Sequence, residues 1–234
     1  MPDAPPDPAT SRREAQASGA PPHAHELPYC AELRRKALHL LALTLPLGAA
    51  LLGKPDALYV LVPGALFALT CDVLRSRSER FARLIRRVFG PLMRADEWAS
   101  ASSSALGDVR GNGATWTLVT MALLIFLFPV PVAVAAFSLF MIGDAAAALV
   151  GRRWGRTTWG DGPRTVEGTA AFVGAGLATV ALLQAALPAA GYGAPSWGVA
   201  AGAVAAAAGA EAFPRPLNDN LRVPLVAALV LYVA

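Results

Sequence analysis

The sequence predicts an all-α, polytopic membrane protein with about seven transmembrane helices and a cytoplasmic N-terminus. Three observations predict this class. The 234 residues are 55% hydrophobic and 15% charged, whereas soluble domains carry about 25% charged residues. Long apolar runs rich in Ala, Leu and Val recur along the chain, as in proteins with several membrane spans. The basic residues lie almost entirely between alternate runs, as the positive-inside rule requires.

The first 30 residues differ in composition from the rest. They are rich in Pro, Ala, Ser and charged residues and have no apolar period, which predicts a disordered polar tail. No apolar segment follows a basic start, so we expect no cleavable signal peptide. Residues 31–234 are predicted to form the transmembrane domain.

Seven apolar segments follow the tail. The first six have roughly the length that a helix rising 1.5 Å per residue needs to cross a bilayer core of about 30 Å. The last segment is short for a full span, and Pro129 and Pro131 separate the third from the fourth. The predicted spans are 37–53, 55–74, 114–129, 131–150, 168–188, 197–213 and 221–234.

The lysines and arginines set the orientation. If the N-terminus is cytoplasmic and all seven segments cross, every Lys and Arg except Lys54 falls in an inside segment. Such a distribution favours this topology over its inverse. The chain is therefore expected to lie in the cell's inner membrane, with the lipid bilayer as a partner and its polar site on the cytoplasmic face.

Residues 75–112 are predicted to form a long cytoplasmic loop. Within it, "ERFARLIRRVFGPLMR" (79–94) places apolar residues at helical spacing with arginines opposite, which predicts a basic amphipathic helix. Such a helix either lies on an anionic membrane surface or packs on the helix bundle, and the sequence leaves both readings open.

An acidic residue, Asp144, lies in the apolar run "FSLFMIGDAAAALVGRRWGRT" (137–157), about two turns from its cytoplasmic end. Carboxylates inside spans are costly and usually face a cavity or a partner. With Arg152 and Arg153 following, the pattern suits Mg²⁺ and a polyphosphate, because the metal and guanidinium groups together neutralise phosphate oxygens. The alternative is structural: Asp144 reaches the membrane interface, and the arginines after it only follow the positive-inside rule.

Three further cytoplasmic ends carry polar residues. Several of these residues also have structural explanations: an acid at a helix N-terminus is favoured by the helix dipole, and Asx residues before a helix are common caps. Their convergence at one face of the membrane favours a common site. The residues are Arg35, Lys36 and His39 at the start of the first span, Arg164, Thr165 and Glu167 at the start of the fifth, Glu211 at the end of the sixth, and Asn218, Asp219 and Asn220 before the seventh.

Five motifs, in order, resemble the family of membrane lipid-alcohol kinases that includes dolichol kinase, phytol kinase and CTP-dependent diacylglycerol kinase. The resemblance covers most of the chain after the tail. Where the family has a lysine, this chain has Arg164, whose guanidinium group is larger and binds as a planar fork. The motifs are Arg35, Lys36 and His39; Glu97 with "GNGATW" (111–116); Gly143, Asp144, Ala147, Gly151, Arg152 and Gly155; Arg164, Thr165, Glu167, Gly168 and Thr169; and Glu211, Asp219, Asn220 and Pro224.

The resemblance implies transfer of the γ-phosphoryl group of CTP, or of another nucleotide, to the hydroxyl of a prenol, polyprenol or diacylglycerol, with Mg²⁺ as cofactor. It implies Asp144 and Asp219 as metal ligands and catalytic residues, with Glu167 and His39 also catalytic. The nucleotide and its phosphates are expected at Arg35, Lys36, Arg152, Arg153, Arg164, Thr165 and Asn220.

Two other functions stay open on the sequence. Phosphatidate cytidylyltransferase has a similar "GD…A…G…G" stretch, but its charged, glycine-rich late signature is absent here. A small transporter with a phosphate-containing substrate would place polar groups at mid-membrane, whereas here they collect at one face. There is no Walker A or kinase glycine-rich loop. We expect no nucleic-acid partner, and the sequence indicates no oligomeric state.

Overall fold

The structure is a computed structural model that describes residues 29–89, 113–160, 162–213 and 217–234. The predicted tail before residue 29, and the part of the predicted loop that contains Glu97, lie outside the described residues. In the described residues the β-structure is limited to one isolated bridge between Thr158 and Thr165, so the all-α prediction is confirmed. The helices are α1 (Tyr29–Leu41), α2 (Thr44–Leu52), α3 (Lys54–Arg77), α4 (Glu79–Phe89), α5 (Gly113–Leu127), α6 (Val130–Trp154), α7 (Val166–Ala189), α8 (Trp197–Ala212) and α9 (Asp219–Val233).

Four helical segments are long and apolar enough to cross a membrane, judged by length and composition. The helices α5, α8 and α9 are shorter, with 15, 16 and 15 residues. Seven crossings and a cytoplasmic N-terminus therefore remain predictions. The four segments are Arg35–Leu52, Lys54–Arg77, Val130–Trp154 and Val166–Ala189.

The first predicted span is not one continuous helix, which corrects the sequence prediction. Helix α1 ends at Leu41 and α2 begins at Thr44. Pro46 is the cause, because proline has no N–H to donate to the carbonyl of Ala42, four residues earlier, and its ring crowds that carbonyl. The carbonyl of Ala42 instead accepts the N–H of Leu45 at 3.0 Å. The break comes two residues after His39, so α1, which carries His39, need not continue in the direction of α2.

Helix α6 forms the centre of the bundle and packs against α1, α2, α5, α7, α8 and α9. The apolar side chains of its middle part, residues 133–141, are buried, among them Phe137 and Phe140. Its closest partner is α7, where Phe172 lies over Gly143. A Cβ at Gly143 would lie 2.9 Å from that ring, so the glycine allows close packing one residue before Asp144.

Helix α3 lies at the edge of the bundle and exposes large apolar side chains. Tyr59 is 78% exposed and Phe67 is 71% exposed. Apolar surface of this extent is too costly to leave in water but suits the acyl chains of a bilayer. The exposed face of α3 thus agrees with its length and composition as a membrane span.

Lys54, the basic residue predicted to lie outside, marks the end of the bundle opposite the charged side chains. Its ammonium group donates to the carbonyls of Phe126 at 3.0 Å and Phe128 at 3.2 Å. These carbonyls lie at the end of α5, where the last turn of a helix has no intrahelical donors. The other end of α5 begins at Gly113, whose carbonyl accepts from Asn220. Helices α3 and α5 therefore run in opposite directions.

Candidate functional site

Asp144 is held by two residues of α1. The ammonium group of Lys36 forms an ion pair with Oδ2 of Asp144, and Nε2 of His39 lies 3.3 Å from the same oxygen. Lys36 and His39 are three residues apart and therefore share one face of the helix. The ring of His39 also meets Phe140 edge-on, at 6.0 Å between ring centroids. The carboxylate within the central helix thus has a lysine and a histidine as partners, both from a helix far away in the sequence.

Arg164 links two acidic residues from different helices. Its Nη1 pairs with Oε1 of Glu211 at the end of α8, and its Nη2 donates to Oδ2 of Asp219 at 2.8 Å. The other oxygen of Asp219 accepts from Nη2 of Arg222 at 2.6 Å. A planar guanidinium with several donors can bridge two carboxylates in this way, whereas a lysine ammonium is a point charge.

The two sets of contacts are neighbours in the bundle. Helix α6, which carries Asp144, packs against α8 and α9, which carry Glu211 and Asp219. We call the two sets together the ion-pair cluster. It consists of Lys36, His39, Asp144, Arg164, Glu211, Asp219 and Arg222.

The segment between α6 and α7 carries Arg164 into the cluster, and the glycines of the two helices beside it are explained by close packing. The hydroxyl of Thr165 accepts the N–H of Gly168 at 3.1 Å and caps α7. A Cβ at Gly151 would lie 2.8 Å from that hydroxyl oxygen, and a Cβ at Gly168 would lie 2.9 Å from the carbonyl of Ala147. The small residues of the motif therefore let α6 approach the start of α7.

Glu167 also stabilises this segment. Both of its carboxylate oxygens accept the backbone N–H of Thr157 at 3.3 Å. The indole of Trp159 donates to the hydroxyl of Thr169 at 2.9 Å, and its ring lies 5.6 Å from the ring of Phe213. The segment is thus attached both to α7 and to the end of α8.

Asn218 and Asn220 connect the start of α9 to the start of α5. The side chain of Asn218 accepts the N–H of Asn220 at 3.0 Å and caps α9. The amide group of Asn220 donates to the carbonyl of Gly113 at 3.2 Å. Gly113 belongs to the "GNGATW" motif, so two motifs distant in the sequence meet at this point.

The structure brings together five of the predicted site residues. Thr165, Glu167 and Asn220 bond the surrounding backbone, and their predicted roles in catalysis or phosphate binding stay predictions. Arg35 and Arg152 are half-buried, and Arg153 is exposed at the end of α6. The five residues in the ion-pair cluster are Lys36, His39, Asp144, Arg164 and Asp219.

Glu211 and Arg222 also belong to the cluster: the sequence places Glu211 among the converging polar residues without assigning it a role, and it does not single out Arg222. Glu211 is 2% exposed and lies at the end of the Ala-rich helix α8. A carboxylate in so apolar a helix by itself indicates a candidate site residue, because a buried carboxylate needs a partner. Arg222 carried no such signal, since an arginine three residues after Asp219 also fits the positive-inside rule.

The carboxylates of the cluster have a chemistry that fits Mg²⁺. Mg²⁺ prefers oxygen ligands and is usually held by one or two carboxylates together with substrate phosphates and water. Asp144 and Asp219 each offer such a carboxylate. Within the described residues no three His, Cys, Asp or Glu side chains are grouped for a metal ion, so a protein-only cage is not present in that part of the chain.

The chain is 34% identical over 98 residues to a protein of Schizosaccharomyces pombe named CTP-dependent diacylglycerol kinase 1. The matched stretch is 41% of this chain and 39% of the relative, so the chain spans about two fifths of the length of the curated relative that it matches. No family model matches the chain, and no solved structure matches it. The similarity makes the chain a distant relative of this kinase and supports the predicted lipid-alcohol kinase family, without indicating a polyprenol or phytol kinase in particular.

Proposed function

We propose that the protein is a membrane lipid-alcohol kinase that transfers the γ-phosphoryl group of CTP, or of another nucleotide, to a lipid hydroxyl. The name of the fission yeast relative favours CTP as donor and diacylglycerol as acceptor. Prenols and polyprenols offer the same combination of one hydroxyl and an alkyl tail. They are the competing acceptors.

The observation that carries this proposal is the ion-pair cluster at one end of the bundle. Phosphoryl transfer needs little covalent chemistry from the protein and depends on positioning and on stabilising charge. Lys36, Arg164 and Arg222 supply cations, and Asp144, Glu211 and Asp219 supply carboxylates. A lipid hydroxyl reaches such a cluster from the adjoining bilayer, while a nucleotide reaches it from water.

In the proposed reaction the lipid hydroxyl oxygen bonds to the γ-phosphorus as the bond from that phosphorus to the β,γ-bridging oxygen breaks. CDP leaves, and the hydroxyl proton passes to a base. We assign this role to His39, because Asp144 at 3.3 Å from Nε2 stabilises the imidazolium that forms. Glu167, which the sequence also predicts to be catalytic, is engaged with the N–H of Thr157.

Asp144 and Asp219 are the residues that we assign to Mg²⁺. When bound, the metal neutralises phosphate charge and lowers the cost of charge that develops during transfer. In the structure these carboxylates pair with Lys36, Arg164 and Arg222. Carboxylates that engage a metal would leave those cations to bind phosphate oxygens, so metal and nucleotide binding support each other.

The decisive experiment uses purified protein in nanodiscs, each γ-labelled nucleoside triphosphate in turn, and a panel of diacylglycerol, prenols and polyprenols. A kinase transfers label to the lipid and releases CDP from CTP. A phosphatidate cytidylyltransferase releases pyrophosphate from CTP when phosphatidate is supplied, and this product would contradict the proposal. The variant Asp144→Asn provides the matched control for activity from a contaminant.

A further inference from the structure

We propose that α4 is an interfacial helix that binds anionic phospholipid headgroups on the membrane face where the ion-pair cluster lies. The sequence left two positions for this helix, on the membrane surface or packed on the bundle. The contacts of α4, its exposed residues and its place in the fold favour the membrane surface.

The two faces of α4 have opposite chemistry. At 100° per residue, Phe81, Leu84 and Ile85 fall on one side. The arginines fall on the other side, and the acidic residue of this stretch, Glu79, lies among them at the first turn. In this stretch, the exposed arginines whose side chains the structure describes are Arg77 at the end of α3 and Arg80, Arg83 and Arg87 on α4.

The apolar face of α4 is incompletely covered by the described part of the bundle. Leu84 is 55% exposed, and Phe81 and Ile85 are half-buried. Among the described helices, α4 makes its main contact with α3, which precedes it directly. A helix packed on the bundle would bury this face, whereas a helix in the headgroup region places it among acyl chains.

The topology places α4 at the level of the membrane surface beside the cluster. Helix α3 begins at Lys54, which contacts the end of α5, and it runs 24 residues to Arg77. The start of α5 meets Asn220, next to Asp219 of the cluster. The end of α3, and with it α4, therefore lies at the cluster end of the bundle.

The charge of α4 indicates which class of lipid it binds. Arginines opposite an apolar face bind phosphate groups of lipids through several donors each while the apolar side chains insert below them. The attraction depends on the surface charge of the leaflet. A neutral bilayer has no surface charge to hold the arginines, so α4 inserts its apolar face less there, and anionic phospholipid is the expected partner.

The test follows the environment of residue 84. A Leu84→Cys variant, with Cys30→Ser and Cys71→Ser, is labelled with an environment-sensitive fluorophore and placed in nanodiscs of phosphatidylcholine or of an equal mixture with phosphatidylglycerol. We expect blue-shifted emission and at least about twofold less quenching by the neutral quencher acrylamide in the anionic discs, with high salt reversing both changes. Replacing Arg80, Arg83 and Arg87 with Gln should remove the difference between the two lipids.

Leu182→Cys on α7 is the matched control, because Leu182 is 70% exposed on a membrane-length helix and should report an apolar environment in both lipids. Identical emission from residue 84 in neutral and anionic discs, or a lipid difference that survives both high salt and the arginine substitutions, would overturn the proposal. The salt titration needs no charge substitution, so it decides the matter even if the triple variant does not fold. The readout is independent of kinase turnover.

Discussion

The ammonium group of Lys36 is buried against the carboxylate of Asp144, a contact between residues 108 positions apart. The Lys36 side chain is only 3% exposed, so the carboxylate of Asp144 compensates its buried charge. Removing one member of a buried pair leaves an uncompensated charge. The pair therefore joins α1 to the central helix and also places the charges of the proposed active site.

Replacing Asp144 with Asn should abolish most activity and also weaken the fold. We expect turnover to fall at least ~100-fold, because charge contacts to a transferring phosphoryl group are each worth several kcal/mol. Lys36 loses its counterion, which should lower the free energy of unfolding by about 3 kcal/mol. Labelled-lipid assays and thermal unfolding in detergent measure the two effects.

The double variant Lys36→Met with Asp144→Asn is the control for that prediction. It removes both charges, so most of the stability should return while turnover stays low. Wild-type turnover in a folded Asp144→Asn protein would contradict the assigned role of this residue.

Arg164→Lys should be impaired although it restores the residue type of the family motif. A lysine reaches one of the two carboxylates, Glu211 or Asp219, whereas the guanidinium bridges both. We expect kcat/KM for CTP to fall about tenfold, which corresponds to about 1.4 kcal/mol.

A double-mutant cycle of Arg164→Lys with Glu211→Gln tests whether the bridge causes this loss. Residues in one ion-pair network usually couple by about 0.5–3 kcal/mol. Strictly additive effects on kcat/KM would show that Glu211 does not hold Arg164 for catalysis.

Nucleotide binding should require Mg²⁺. The three cations of the cluster, Lys36, Arg164 and Arg222, are paired with carboxylates, and a polyphosphate must compete with those carboxylates unless a metal engages them. We expect EDTA to weaken CTP binding at least ~10-fold, or about 1.4 kcal/mol. Calorimetric titration with and without Mg²⁺ measures this, and equal Kd values would count against the metal assignment.

Gly168→Ala should be damaging for steric reasons. A Cβ there would lie 2.9 Å from both the carbonyl of Ala147 and the hydroxyl of Thr165, so α6 and α7 would separate at the cap. We expect a loss of about 1–3 kcal/mol in stability. Gly174→Ala on the same helix is the control, since its Cβ meets nothing within 4 Å and alanine favours a helix by about 0.5–1 kcal/mol. Comparable unfolding temperatures for the two variants would disprove the packing argument.

Cysteine labelling in oriented vesicles tests the predicted topology. In a background without native cysteines, Thr158→Cys and Leu217→Cys should react from the cytoplasmic side, because both lie at the cluster end of the bundle. Asp56→Cys and Gly193→Cys should react from the other side. Labelling of positions 158 and 217 from opposite sides would exclude a single site built from both segments.

The sequence by itself determined the helical class and most of the helix positions. Apolar segments of limited length, bounded by Pro129 or by polar residues such as Asn218, mark the helices, because helix periodicity and capping are local properties. Local patterns also identified Asp144 and Arg164, since a charge near an apolar span needs a partner or a function.

The tertiary structure decided how those charges pair. Arg35 and His39 share a helix face by spacing, yet Lys36 is the residue that pairs with Asp144. Glu211, which the sequence presented as one acidic residue in an Ala-rich helix, holds Arg164. Pairing depends on the rotation of each helix and on how closely α6 and α7 approach, and these follow from packing across the whole bundle. Residue spacing along one helix contains no information about the partner helix, so only the assembled bundle determines the cluster.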